Sequence, residues 1–200
     1  MHPSSPAFTR IELVVVLVIV AVILVLAWPA FTNALVKRDL TRTMNNGREL
    51  YLAAFRMATD GAAKSDASLA WPGDYPVNSL AEYCGKLIEK DYVKPAELQR
   101  MLSALKIYKV KGADPSNTIF AASSNYVYDT ELNSHAVPFG DAGFVVVRKS
   151  GDAGVYKKNQ ATPAGYDNNA ERFQAEIGAL PGATKGEVAP GDGATVLAGP

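Results

Sequence analysis

The side chains able to do covalent or metal chemistry are few and scattered. The chain carries one cysteine, Cys84, and two histidines, His2 and His135. A catalytic thiol needs a base or a positive field to hold its thiolate. Cys84 instead sits in an apolar stretch with Tyr83, Leu87 and Ile88, which reads as a buried structural thiol. A lone cysteine also excludes an intramolecular disulfide. Asp129, Glu131 and Asp141 gather near predicted strands and could offer oxygens to calcium. That ion takes about six to eight oxygens, and no compact ligand loop is present, so solvated surface carboxylates are expected. Paired Cys-x-x-Cys, His-Glu-x-x-His, Gly-rich Lys-Ser/Thr and nucleophile-elbow patterns are all missing. The expectation is a non-enzyme without metal or cofactor. Lysine plus arginine and aspartate plus glutamate both number 20, which gives no electrostatic reason to expect nucleic acid.

One ionisable residue stands in an unusual setting. Glu12 heads the apolar run LVVVLVIVAVILVLAWPA, residues 13–30, in which no side chain is charged. A carboxylate there marks either a membrane boundary or a position with a job, because ionisable groups are costly in lipid. The hydrophobic fraction is 48%, and much of it lies in this one block. Such a run spans about 27 Å as a helix, close to the ~30 Å hydrocarbon core of a bilayer. Strands usually stop near eight residues, and only a helix satisfies its own backbone in lipid. Trp28 at the far end suits the membrane interface. A cleaved secretory signal would need a shorter core, a basic start and a small-x-small site, none of which is present.

Ala7-Phe8-Thr9-Arg10-Ile11-Glu12-Leu13-Val14-Val15-Val16 resembles the prepilin leader junction of type IV pilins and type II secretion pseudopilins. In that family a small residue precedes the cut and a Phe follows it. A glutamate comes four residues later, followed by a long apolar helix that many members bend with a proline. Phe8, Glu12 and Pro29 match that pattern. The resemblance implies cleavage by prepilin peptidase between Ala7 and Phe8, methylation of the new Phe8 amine, and a bend at Pro29. It also implies that Glu12 meets a neighbouring subunit's Phe8 amine and sets register, since a paired buried carboxylate is penalised far less than a lone one. The sequence departs from the pattern at Ala7, usually Gly, and at Arg10, usually apolar. The leader lacks lysine and arginine, while Lys37, Arg38 and Arg42 follow the span, a distribution that alone points to the opposite orientation.

Apolar or small residues at Val36, Leu40, Met44, Gly47, Tyr51, Phe55 and Ala58 extend the helix as an amphipathic half, and Asp60-Gly61 supplies a stop. The expected organisation is a leader over 1–7, a helix over 8–60 (anchor 13–31, amphipathic half 33–60), a head over 61–158, and a tail over 159–200. A loop over 62–76 precedes a helix capped by Ser79 with Glu82, and Pro95 opens another. Strands are expected at 106–111, 119–121, 125–128, 143–148 and 154–157, with a hairpin turn at Ser150-Gly151-Asp152. The tail, rich in Ala, Gly and Pro, is expected to be disordered. The predicted class is therefore α+β: a long membrane-spanning helix packed on a small antiparallel sheet head. The functional expectation is a pilin or pseudopilin, anchored in the bacterial inner membrane with a periplasmic head. Its partners would be copies of itself or related pilins. A signal-anchored periplasmic binding protein that does not polymerise is the alternative, and a membrane-tethered enzyme ranks third.

Overall fold

The computed structural model describes residues 9–74 and 79–197. The architecture is α+β. Helix α1, Arg10–Lys64, is followed by α2, Leu80–Glu89, and α3, Pro95–Leu102. Strands β1, Leu105–Ile107, β2, Ile119–Ser123, β3, Phe144–Arg148, and β4, Ala153–Tyr156, form one antiparallel sheet in the order β1-β2-β3-β4. Helix α4, Ala170–Glu176, follows among three short 3-10 turns. The chain divides into two compact units with the boundary between Arg38 and Asp39.

The second unit owes its core to three sources. From α1 come Leu40, Leu50, Tyr51, Ala54 and Met57, all buried at helical spacing. From the sheet come every residue of β2 and Phe144 to Val147 of β3. Burial of an aliphatic side chain of this size contributes about 1.5–3 kcal/mol. Tyr51, Trp71 and Phe120 pack with ring centroids about 6 Å apart, joining α1 to the sheet. The third source is the C-terminal region, which supplies Tyr166, Phe173, Ile177 and Leu197.

That third source corrects the expected tail. Residues 159–197 are folded, and α4 sits among them with Asn169 as its N-cap. The Gln174 side chain, 3% exposed, donates to the carbonyls of Thr184 and Glu187 and accepts from the Gly186 N–H. One amide thus holds a loop that buries almost nothing of its own. Average composition misses a segment ordered by a few deep anchors.

Several boundaries also shift. Helix α1 runs to Lys64 rather than stopping at Asp60-Gly61. Gly61 lies against the returning loop instead: a Cβ there would stand 1.7 Å from the Leu69 carbonyl oxygen. The amphipathic stripe holds at Leu40, Gly47 and Tyr51 but drifts afterwards, so that Ala54 and Met57 are buried and Phe55 is 46% exposed. Residues 125–128 are not a strand but irregular chain between two turns, with Tyr126 and Tyr128 buried. The expected strand at 106–111 is shorter, because only Leu105–Ile107 pairs with β2. The hairpin between β3 and β4 turns where expected, with Gly151 N–H donating to the Arg148 carbonyl. Ser79 caps α2 by accepting from the Glu82 N–H, and Pro95 sits in the first turn of α3.

Candidate functional site

The first region of interest begins at the N-terminal end of α1. Thr9 precedes the helix, and its Oγ1 accepts from the Glu12 N–H at 3.3 Å. The Glu12 carboxylate reaches back to the Thr9 N–H and hydroxyl, each at 2.8 Å. This is a reciprocal capping box, in which two otherwise orphaned helix donors are satisfied. A negative charge in the first turn also complements the helix dipole. The Thr-x-x-Glu spacing was legible in the sequence as a helix start, a signal that the leader resemblance overshadows.

Beyond the cap, every described residue of α1 as far as Phe31 is exposed. The helix is long and apolar enough to cross a membrane, and the apolar window shows no burial against the rest of the chain. Contiguous apolar surface of this extent marks a membrane or protein interface. Pro29 lies within α1 and does not end it. Ala7 and Phe8, the expected processing residues, lie outside the described residues, as do Tyr75 and Pro76 of the expected loop.

The second region is the strap formed by the last described residues. The Lys109 N–H donates to the Thr195 carbonyl at 2.6 Å, and the Leu197 N–H donates to the Ile107 carbonyl at 2.9 Å. Tyr108 and Val196 form an antiparallel bridge between these bonds. The strap thereby covers the outer edge of β1, an edge otherwise open to pairing with another chain. Asp192 fastens it. Its Oδ1 accepts from the Tyr108 hydroxyl at 2.6 Å and from the Tyr128 N–H at 3.1 Å. Its Oδ2 accepts from Lys106 Nζ, which also donates to the Tyr126 carbonyl. Lys106 and Asp192 side chains are only 15% and 16% exposed. Burial pushes the Lys106 ammonium below its ordinary value, and the Asp192 carboxylate opposes that shift. Nothing in the local sequence links Lys106 to Asp192, and sequence reasoning missed the pair.

The other chemistry-bearing residues do not converge. Asp141 pairs with Lys158 Nζ at 2.8 Å, which holds its carboxyl below the usual range. Asp129 adopts a left-handed backbone, and burial raises its carboxyl. Among the described residues, no three His, Cys, Asp or Glu side chains stand close enough to hold a metal ion. His135 is exposed on a loop. Cys84 is half-buried on α2, and burial pushes its thiol up to about 11.

No protein-family model matches the chain, and no curated protein or solved structure matches it.

Proposed function

We propose that the protein is a structural filament subunit of the type IV pilin or type II secretion pseudopilin kind, held in the inner membrane before assembly. The observation that carries this reading is α1 itself. One unbroken helix begins with a capped glutamate and continues as exposed apolar surface; past Asp39 it supplies the buried spine of an α+β head. A purely soluble helix would not leave so much aliphatic surface bare. Helix–helix packing between subunits would bury the branched aliphatics by close van der Waals contact. In this reading the head is periplasmic, Pro29 bends the helix, and no catalytic step is performed.

Glu12 has a double role in the proposal. In the isolated chain it caps its own helix; in a filament the same carboxylate would turn to the Phe8 amine of a neighbour. Mass spectrometry of the N-terminal peptide, from protein purified out of its native membranes, tests the processing step. A chain starting at N-methylated Phe8 supports the filament reading. A chain still starting at Met1 in the presence of prepilin peptidase favours the signal-anchored binding protein.

A further inference from the structure

The Lys106–Asp192 pair is arranged for more than charge neutralisation. The ion pairs Glu49–Arg100, Asp141–Lys158, Asp167–Arg172 and Glu171–Lys185, by contrast, keep both side chains at least 42% exposed, where water solvates them. Here both side chains are largely buried, between fully buried Tyr108 and Tyr126. The two carboxylate oxygens also have different surroundings. Oδ2 faces the amine, while Oδ1 is held by two donors, the Tyr108 hydroxyl and the Tyr128 N–H. The amine is held against one carboxylate oxygen while the other oxygen sits among fixed donors, so the two partners of an amide condensation stand together, largely out of water.

We propose that Lys106 and Asp192 condense into an isopeptide bond that ties the C-terminal strap covalently to β1. Burial disfavours the Lys106 ammonium, and in the proposed reaction its proton passes to Oδ2, the oxygen it already contacts. The freed amine attacks the Asp192 carboxyl carbon, forming the N–C bond. Negative charge collects on Oδ1, where Tyr108 and Tyr128 donate. A second proton from the nitrogen reaches the Oδ2 hydroxyl, the C–Oδ2 bond breaks, and water leaves. Ammonium and carboxylate become amide and water, with no electron transfer and no further reactant. Burial keeps the Tyr108 hydroxyl protonated far beyond neutral pH, so it remains a donor throughout. Enforced proximity takes the place of chemical activation, since well-oriented intramolecular reactions reach effective molarities of about 10⁵–10⁸ M. The bond would lock the covered edge of β1 permanently, whether or not the protein polymerises.

Tryptic digestion of the full chain, purified in detergent, followed by tandem mass spectrometry tests the proposal. The expected product is a branched peptide joining residues 101–109 to 186–200, lighter by one water than the two linear peptides. Lys106→Arg keeps the charge pair but cannot condense in this way, and it should yield linear peptides only. Asp192→Asn should give the same branch by loss of one ammonia. Quantitative cleavage after Lys106 in the unmodified chain would overturn the proposal. So would loss of water that persists in Lys106→Arg, because that is the signature of a succinimide at Asp192-Gly193.

Discussion

Gly47 of α1 lies so close to Val147 of β3 that a Cβ on Gly47 would stand 2.6 Å from Val147 Cγ2 and 3.5 Å from Leu105 Cδ1. The helix passes this close to the sheet at a residue whose side chain is a single hydrogen. Glycine in a helix interior is disfavoured by roughly 1 kcal/mol relative to alanine, so the close crossing has to offset that cost.

Gly47→Leu should therefore destabilise the head by about 1–3 kcal/mol, through overpacking against a β-branched neighbour that cannot rotate away. Gly47→Ala should cost less, because the methyl meets one Val147 methyl and gains helix propensity. Thermal unfolding of the full chain in detergent, followed by near-ultraviolet circular dichroism, reads both. Equal melting of Gly47→Leu and the parent chain would mean that α1 does not cross β3 at this residue.

What could be read from sequence was what local chemistry dictates. Ser79 as a cap, Pro95 in a first turn, the hairpin at 150–152 and the length of the apolar helix all depend on neighbours in the chain. Features set by distant partners were not legible. Phe55 continued a plausible stripe, yet the helical repeat of 3.6 carries that position away from the sheet. Tyr126 and Tyr128 alternate as in a strand, but their hydroxyls bond the carbonyls of Ala161 and Gly178, far along the chain. Asp192 sits in a Gly-rich stretch that looks like linker until Lys106 and Tyr108 are brought beside it.

The folded C-terminal region rests on few anchors, and Phe173 is one of them, with no exposure and ring contacts to Tyr128 and Tyr166. Phe173→Ala should cost about 3–5 kcal/mol. Because the neighbouring loop is held by Gln174 from the same helix, the loss should appear first as proteolytic cleavage within residues 159–197. Limited proteolysis with peptide mapping gives the readout. Cleavage no faster than in the parent chain would show that Phe173 does not hold this segment.

Cys84 should react slowly with alkylating reagents near neutral pH. Burial penalises its thiolate and moves the group from an ordinary value of 9.0 up to about 11. The thiolate fraction is then lower by about two orders of magnitude, and reactivity should climb as pH rises towards 11. The sign for stability follows. The unfolded chain loses this proton more readily than the folded one. The contribution is therefore fully present below about 9 and fades as pH rises through 11. Iodoacetamide kinetics between neutral and alkaline pH test the first statement. A rate at neutral pH equal to that of a free thiol peptide would refute it.

Thr9 and Glu12 allow capping to be separated from register. Thr9→Ala removes the hydroxyl that accepts from the Glu12 N–H, which should cost about 0.5–2 kcal/mol at the helix end. Glu12→Ala removes the reciprocal partner and with it any carboxylate that could meet a neighbour's amine. If Glu12 only caps its own helix, the two variants should behave alike, with slight fraying and similar filament yield. The register role requires a different pattern. Membrane insertion should be unchanged in both, since the apolar run from Leu13 onwards is intact, while filament yield falls several-fold in Glu12→Ala and only slightly in Thr9→Ala. Glu12→Gln sharpens the comparison, because its amide oxygen can still accept from the Thr9 N–H but carries no charge for an amine. Assembly by Glu12→Gln at the parent level would remove the charge pair from the mechanism and leave the glutamate as a cap.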